Sequence, residues 1–339
     1  MSASKSLPKI VVFSLGGTIA STDSGSTPRG VTPQLSGADI VATVPQLDRL
    51  AVVESISVRQ VPSGDLTVED IVELSRQVEQ ALTSGADGVV VTQGTDTMEE
   101  TAFILDLLVR SERPVVVTGA MRSPGSLSAD GAANLMAAVT VATSSAALAL
   151  GTLVVLNDEI HAARFVRKTN VSSLAAFQSP NAGPLGWLVE GRVRLAMRVA
   201  PLASIGSVLH RPLASVALVK LSLGDEGRIV RCLASMDYSG VVIEGFGGGH
   251  VPAKMVAVIE ELVGVMPVVL ASRTGSGELL RETYGYPGSE RDLLARGVWS
   301  AGVLDGLKAR ILLSLVLTDQ PSRSQARDRF ESITSSIAL

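Results

Sequence analysis

Short β-branched runs that end in glycine or a polar residue alternate with longer amphipathic stretches through the first half of the chain. The runs lie at residues 10–14, 52–61, 88–92, 114–118 and 153–156, and the stretches at 66–83, 97–111 and 129–147. Strands that are apolar throughout, separated by helices, predict βαβ units and a parallel sheet with helices on both faces. Ligands of such sheets sit beyond the carboxyl ends of the strands. Two helix starts are marked. Thr67-Val-Glu-Asp70 has the pattern of a capping box, and Ser128-Ala-Asp-Gly131 is placed to cap the helix carrying Asn134 and Leu135.

The pattern changes near Gly191. Residues 192–212 are rich in Arg, Pro and small side chains without a clear period and read as a linker. Beyond it, 214–223, 240–244 and 267–272 read as strands, 252–263 as a helix and 302–317 as a final long helix. The expected architecture is α/β in two domains. The larger spans 1–191 with a mainly parallel sheet, and the smaller α/β domain spans 213–339.

Composition narrows the classes of function. Of 339 residues, 46% are hydrophobic but only 3% aromatic, so aliphatic side chains and alanine must fill the interior, as suits a buried parallel sheet. The net charge of −4 argues against a nucleic-acid binder. One cysteine, Cys232, forms no internal disulfide and fits a reducing compartment. The three histidines, His161, His210 and His250, are far apart and lack metal-ligand spacing, which argues against a zinc hydrolase; no metal and no cofactor is expected. No apolar run is long enough for a membrane span, and the apolar segment after Lys9 is too short for a signal sequence. A soluble cytoplasmic protein is expected.

Four polar clusters follow directly on the strands. In Leu15-Gly-Gly-Thr-Ile-Ala20 two glycines allow a sharp turn that leaves Thr18 exposed, and both a capping threonine and a nucleophile fit. The spacing is not that of a dinucleotide loop. In Val91-Thr-Gln-Gly-Thr-Asp-Thr-Met-Glu-Glu-Thr101, Thr95 and Asp96 stand at a helix start, where free amides favour an anion or polar ligand. Acidic first-turn residues account for Glu99 and Glu100, but not for the crowding of Thr95, Asp96 and Thr97. In Val117-Thr-Gly-Ala-Met-Arg122, Gly119 and Ala120 suit close backbone approach, and Arg122 either ties loops or binds substrate. The fourth cluster spans 157–170. Of its Arg164, Arg167 and Lys168, two are expected at the surface and one turned inward, a lysine beside an acid and a threonine being a candidate proton relay. No P-loop and no G-x-S-x-G elbow is present, and Gly245-Phe-Gly-Gly-Gly-His250 lacks the acidic partner of a phosphate cradle.

Together these words resemble the bacterial-type L-asparaginase and glutaminase-asparaginase family. The resemblance rests on Gly16-Gly-Thr-Ile-Ala20, Gly94-Thr-Asp-Thr-Met-Glu-Glu-Thr101, Thr118-Gly-Ala-Met-Arg122 with Ala129-Asp-Gly131, Lys168-Thr-Asn170 and Pro180-Asn-Ala-Gly-Pro-Leu-Gly186. They occur in family order across most of the chain, the last third matching more loosely. The resemblance implies hydrolysis of L-asparagine to L-aspartate and ammonia through a threonine acyl-enzyme, with weaker action on glutamine. It implies Thr18 as the nucleophile, Thr95 and Lys168 as the proton relay, and Asp96 as the group that binds the substrate's α-amino group. Ser63, Gly64 and Asp65 would hold the α-carboxylate, with further substrate contacts at Gly17, Gly94 and Ala120. Main-chain amides near Gly17, Thr95 and Ala120 would face the developing oxyanion. A homotetramer of intimate dimers is implied, in which the C-terminal domain completes a neighbouring subunit's site.

The chain departs from the family at several positions. The lid between Thr22 and Pro33 has no tyrosine, which leaves Arg29 or another lid residue to take its place. Gln93 stands where many members have histidine, His250 where the family often places asparagine, and Glu282 or Tyr284 at the position of an acidic residue that reaches a neighbour's site. Two alternatives stand beside hydrolysis of asparagine: an amidase for another ω-amide, and a non-catalytic amino-acid sensor on the same fold.

Overall fold

Four of the five apolar runs of the first half, at 10–14, 88–92, 114–118 and 153–156, form the middle of an eight-stranded sheet, where valine-rich strands are buried on both faces, whereas the run at 52–61 is its half-exposed edge strand. The computed structural model describes residues 6–23, 30–206, 208, 211–320 and 322–337. Two units divide between Ser204 and Ile205. Strands of the first are β1 (Lys9–Gly16), β2 (Ser21–Asp23), β3 (Val31–Pro33), β4 (Val52–Val61), β5 (Gly88–Thr92), β6 (Val115–Thr118), β7 (Thr152–Leu156), β8 (Glu159–Ala162), β9 (Arg167–Lys168), β10 (Phe177–Gln178), β11 (Gly186–Val189) and β12 (Arg192–Leu195). Its helices are α1 (Gly37–Ala42), α2 (Val68–Thr83), α3 (Met98–Leu108) and α4 (Gly131–Ala142).

The sheet order is β4-β1-β5-β6-β7-β8-β11-β12. The first five run parallel, and β7-β8, β8-β11 and β11-β12 are antiparallel. The chain leaves β1 for β4 on one side and returns to β5 on the other. The crevice beyond the carboxyl ends of β1 and β5 is therefore a topological switch point, the usual place for a ligand in an open α/β sheet. Ser14, Thr92 and Thr118 lie abreast in register at those ends, all buried.

Local signals explain most of the helices. Thr67 and Asp70 form a complete capping box at the start of α2, and Arg59 pairs with the Asp70 carboxylate at 2.7 Å. At α4 the expected cap differs. Ser128 sits at positive φ outside the helix, and the Asp130 carboxylate turns away from the helix amides to bind those of Met121 and Arg122.

The expected linker start is also corrected. Arg192–Leu195 is the edge strand of the sheet, joined to β11 by Glu190 and Gly191, both at positive φ as a two-residue primed hairpin turn demands. Asn157 and Asp158 make the same kind of turn between β7 and β8.

The second unit carries a parallel sheet in the order β13 (Val216–Lys220), β14 (Gly240–Gly245), β15 (Val268–Ser272) and β16 (Trp299–Ser300). Its helices are α5 (Arg228–Cys232), α6 (Val256–Val265), α7 (Glu290–Ala295), α8 (Gly306–Asp319) and α9 (Arg323–Ile337). α8 packs on β13, β14 and β15. It is not the last helix, as the apolar pattern had implied. α9 follows and buries Ala326, Phe330, Ile333 and Ile337 along one stripe, with Phe330 against Trp299.

Candidate active site

Three segments meet at small residues in the crevice beyond β1 and β5. Gly16 and Gly17 both have positive φ, and the amide of Gly17 donates to Val61 O at 3.1 Å. A Cβ on Gly17 would lie 2.0 Å from the nitrogen of Gly94, and one on Gly94 would lie 2.7 Å from Ser63 Oγ. Side chains are thus excluded from both positions, and the loop carrying Thr18 rests directly on the loop carrying Thr95. Thr18 is half-buried, and buried Ser21 steadies its turn by donating from Oγ to Gly17 O at 2.9 Å.

The turn Ser63–Asp65 closes a second side. Ser63 is buried, its Oγ accepts from the Asp96 amide at 3.3 Å, and its carbonyl accepts from Thr97 Oγ1 at 2.9 Å. Gly64 and Asp65 lie on the exposed side of that turn.

The loop after β6 closes a third side. A Cβ on Gly119 would lie 2.4 Å from Gln93 O, so this loop too seats against the Gln93–Thr95 turn. Ala120 is fully buried. Asp130 accepts from the amides of Met121 and Arg122, while Asn134 donates to Gly119 O and Asp130 and accepts from the Asn157 amide. Arg122 reaches Ser128 O at 3.2 Å and so ties its own loop. Gly131 at the start of α4 stands against Ile19 and Ala120, joining this loop to the Thr18 turn.

Lys168 arrives from β9. Its Nζ donates to Thr95 Oγ1 at 2.9 Å and to Asp96 Oδ1 at 2.6 Å. The lysine side chain is 16% exposed and that of Asp96 76%, so the carboxylate opens to solvent while the ammonium is shielded. The structure therefore brings together Thr95, Asp96, Lys168 and Ser63 by direct contact, and Gly17, Thr18, Gly94 and Ala120 through packing of the loops that carry them.

All three cations of the fourth cluster are at least half-buried, where two were expected at the surface. Arg164 is buried 3.2 Å from Asp106 of α3, and its Nη1 donates to Ala200 O. Burial pushes the Asp106 carboxyl up, against the opposing pull of the Arg164 charge and the Thr152 amide. His161 is buried with Nδ1 2.9 Å from Ser179 Oγ. Desolvation holds its imidazole below the ordinary value, although Glu159 pulls the other way.

Two residues that hold the loops of the site escaped the reading of the sequence, Ser21 and Asn134. Asn134 alone had a visible signal, a buried polar side chain in the small-residue run of α4. Arg29, weighed as a replacement for the lid tyrosine, lies outside the described residues, as does His210. In the second unit, the His250 ring meets Tyr284 and Tyr286 edge-on, with Nε2 3.1 Å from Glu290, and Glu282 is exposed. Burial alone raises the Glu290 carboxyl. The amides of Tyr284, Glu290 and Thr283 and the His250 charge outweigh it and hold the group below its ordinary value. Among the described residues, no three His, Cys, Asp or Glu side chains are grouped to hold a metal, and no helix is long and apolar enough to cross a membrane.

Comparison with known proteins agrees along most of the chain. Residues 9–200 match the family model described as asparaginase, N-terminal, and residues 215–330 that of the glutaminase/asparaginase C-terminal domain. The L-asparaginase of Bacillus licheniformis is 36% identical, covering 95% of this chain and 98% of that protein. L-asparaginase 2 of Escherichia coli is 33% identical, covering 97% and 94%. The crystal structure of a probable cytoplasmic L-asparaginase from Campylobacter jejuni superposes with a TM-score of 0.85 at 31% identity, covering 96% of this chain and 99% of that one. With two family models in sequence order and full-length relatives on the same fold, the chain belongs to the asparaginase family.

Proposed function

We propose that this protein hydrolyses L-asparagine to L-aspartate and ammonia, with a minor activity on L-glutamine. The observation that carries the reading is the hydrogen bond from Lys168 Nζ to Thr95 Oγ1, set against the glycine contact that seats the Thr18 turn on the Thr95 turn. A threonine hydroxyl is a weak nucleophile unless a neighbour takes its proton, and a lysine joined to a second threonine is a route for that proton.

Thr18 Oγ1 attacks the side-chain amide carbon, forming a C–O bond while its proton passes through Thr95 Oγ1 to Lys168 Nζ, whose free-amine form is the one that accepts it. The C–N bond then breaks, the departing nitrogen takes up the proton, and ammonia leaves an aspartyl ester on Thr18. Water attacks that ester and releases aspartate and the free hydroxyl. Asp96 offers its solvent-facing carboxylate to the substrate's α-amino group, and the Ser63–Asp65 turn faces the α-carboxylate. Amides of the Gly17, Thr95 and Ala120 segments serve the developing oxyanion.

The protein acts in the cytoplasm as a homotetramer, a dimer of dimers, on this reading; the Campylobacter jejuni structure is named cytoplasmic. Ammonia release from L-asparagine and L-glutamine, with wild type and Thr18→Ala in parallel, tests the activity. Release that vanishes in the variant while its circular dichroism is unchanged supports it, and Lys168→Met should slow turnover by about 100-fold or more. Asparagine binding without ammonia release in wild type would overturn it in favour of a sensor.

A further inference from the structure

Lys168 is held at both ends by one short piece of chain. Its ammonium bonds Thr95 and Asp96, in the turn Thr95–Thr97 that precedes α3. Its main-chain amide donates to Glu99 Oε2 at 2.9 Å, and Glu99 is a buried residue of the first turn of α3. A carboxylate in a first helical turn is usually explained by the helix dipole. The dipole acts on such a group wherever it points and does not account for a specific partner. Here the side chain is buried, α3 has no side-chain cap, and the carboxylate reaches across to a different segment of the chain.

We infer that Glu99 is a positioning residue for the reaction, a main-chain anchor that sets where Lys168 starts and hence where its ammonium ends. The strand that carries Lys168 is only two residues long and pairs with another of two, so it supplies little registration of its own. A lysine side chain has four rotatable bonds. With its backbone free to drift, the ammonium would keep Asp96, which is mostly exposed and able to follow, and lose buried Thr95. Anchoring the amide to α3, which follows directly on the Thr95–Thr97 turn, makes the Thr95–Lys168 distance depend on one contiguous piece of chain. Glu99 touches neither substrate nor the reacting atoms on this account, and it serves turnover more than binding.

The inference rests on the amidohydrolase reading, so its test includes a readout independent of turnover. Glu99→Gln keeps an acceptor for the Lys168 amide, whereas Glu99→Met keeps the shape and removes the acceptor. Expected for Glu99→Met is a kcat lower by about 100-fold with KM within about threefold of wild type, and for Glu99→Gln a kcat within about fivefold. Amide hydrogen exchange at Lys168 should accelerate in Glu99→Met and not in Glu99→Gln. If Glu99→Met does not fold, Glu99→Asp withdraws the carboxylate by one methylene and should show the same split in milder form. Exchange at Lys168 unchanged in Glu99→Met, or a kcat equal to wild type, would overturn the inference while leaving the amidohydrolase reading intact. A wild type that releases no ammonia from any amide would overturn that reading, and exchange at Lys168 would still judge the anchor.

Discussion

Replacing Gly17 by alanine tests the contact on which the whole site is built. The added Cβ would stand 2.0 Å from Gly94 N, whereas ordinary contact begins at 3.4 Å. The loops of Thr18 and Thr95 must therefore part by about 1.4 Å, and a shift of that order in a reacting group costs about 100-fold in rate. Gly17 also has φ +79° and ψ −169°, a conformation that costs an L-residue about 1–3 kcal/mol. Taking about 2 kcal/mol, melting should fall by about 4–8 °C for a unit of this size. Gly85→Ala is the control. Gly85 has φ +103° but nothing within 4 Å of its added Cβ, so it carries the strain without the collision. Ammonia release and thermal melting of both variants separate the two effects. Gly17→Ala should lose stability and turnover, and Gly85→Ala stability alone. If Gly17→Ala kept a kcat within threefold of wild type, the glycine contact would not set the spacing of the two threonines.

Other perturbations probe the frame. Arg164→Met leaves the Asp106 carboxyl buried without its counter-ion and should cost about 3–5 kcal/mol in urea unfolding, most of it recovered in the double variant with Asp106→Leu; a single-variant loss below about 1 kcal/mol would mean the pair is dispensable. His161 has a folded value below its ordinary one, so the unfolded chain takes up the proton first as pH falls through about 6.5. The stability that neutral His161 contributes is complete above that pH and is lost from there down to the folded value. Melting temperature should drop over that window and drop less in His161→Gln, an equal slope in both counting against burial as the cause. Thr67→Ala should cost about 1 kcal/mol by opening the capping box of α2, with Thr67→Ser close to wild type in the same melting assay.

What could be read from the sequence follows from how local each signal is. Strands β5, β6 and β7 were legible because burial on both faces makes them apolar without alternation, and α2 because its capping box and amphipathic period lie in one stretch. The hairpins were not. Their turns, Asn157-Asp158 and Glu190-Gly191, lack the Asn-Gly signal, and the strands they join are four or five residues long. The stripe of α9 was present at Ala326, Phe330, Ile333 and Ile337, but a strongly polar helix hides four apolar residues well. At the site, Thr18, Thr95, Asp96 and Lys168 stood out through the words they sit in. Glu99 and Arg164 did not, since a charged side chain looks like surface until its partner is known, and their partners, the Lys168 amide and Asp106, lie far along the chain.

The position of the crevice where the strand order reverses also bears on how the enzyme comes to life during synthesis. β1 is made first and is flanked in the sheet by β4 and β5, yet Lys168 is added only after β7 and β8 have been made. No fragment ending before β9 holds the Thr95–Lys168 bond, however well its early strands have paired. Such non-local strand pairing is slow to form. Activity regained by a denatured chain should therefore appear with the last tertiary contacts rather than with the first secondary structure, making ammonia release a stringent reporter of finished topology.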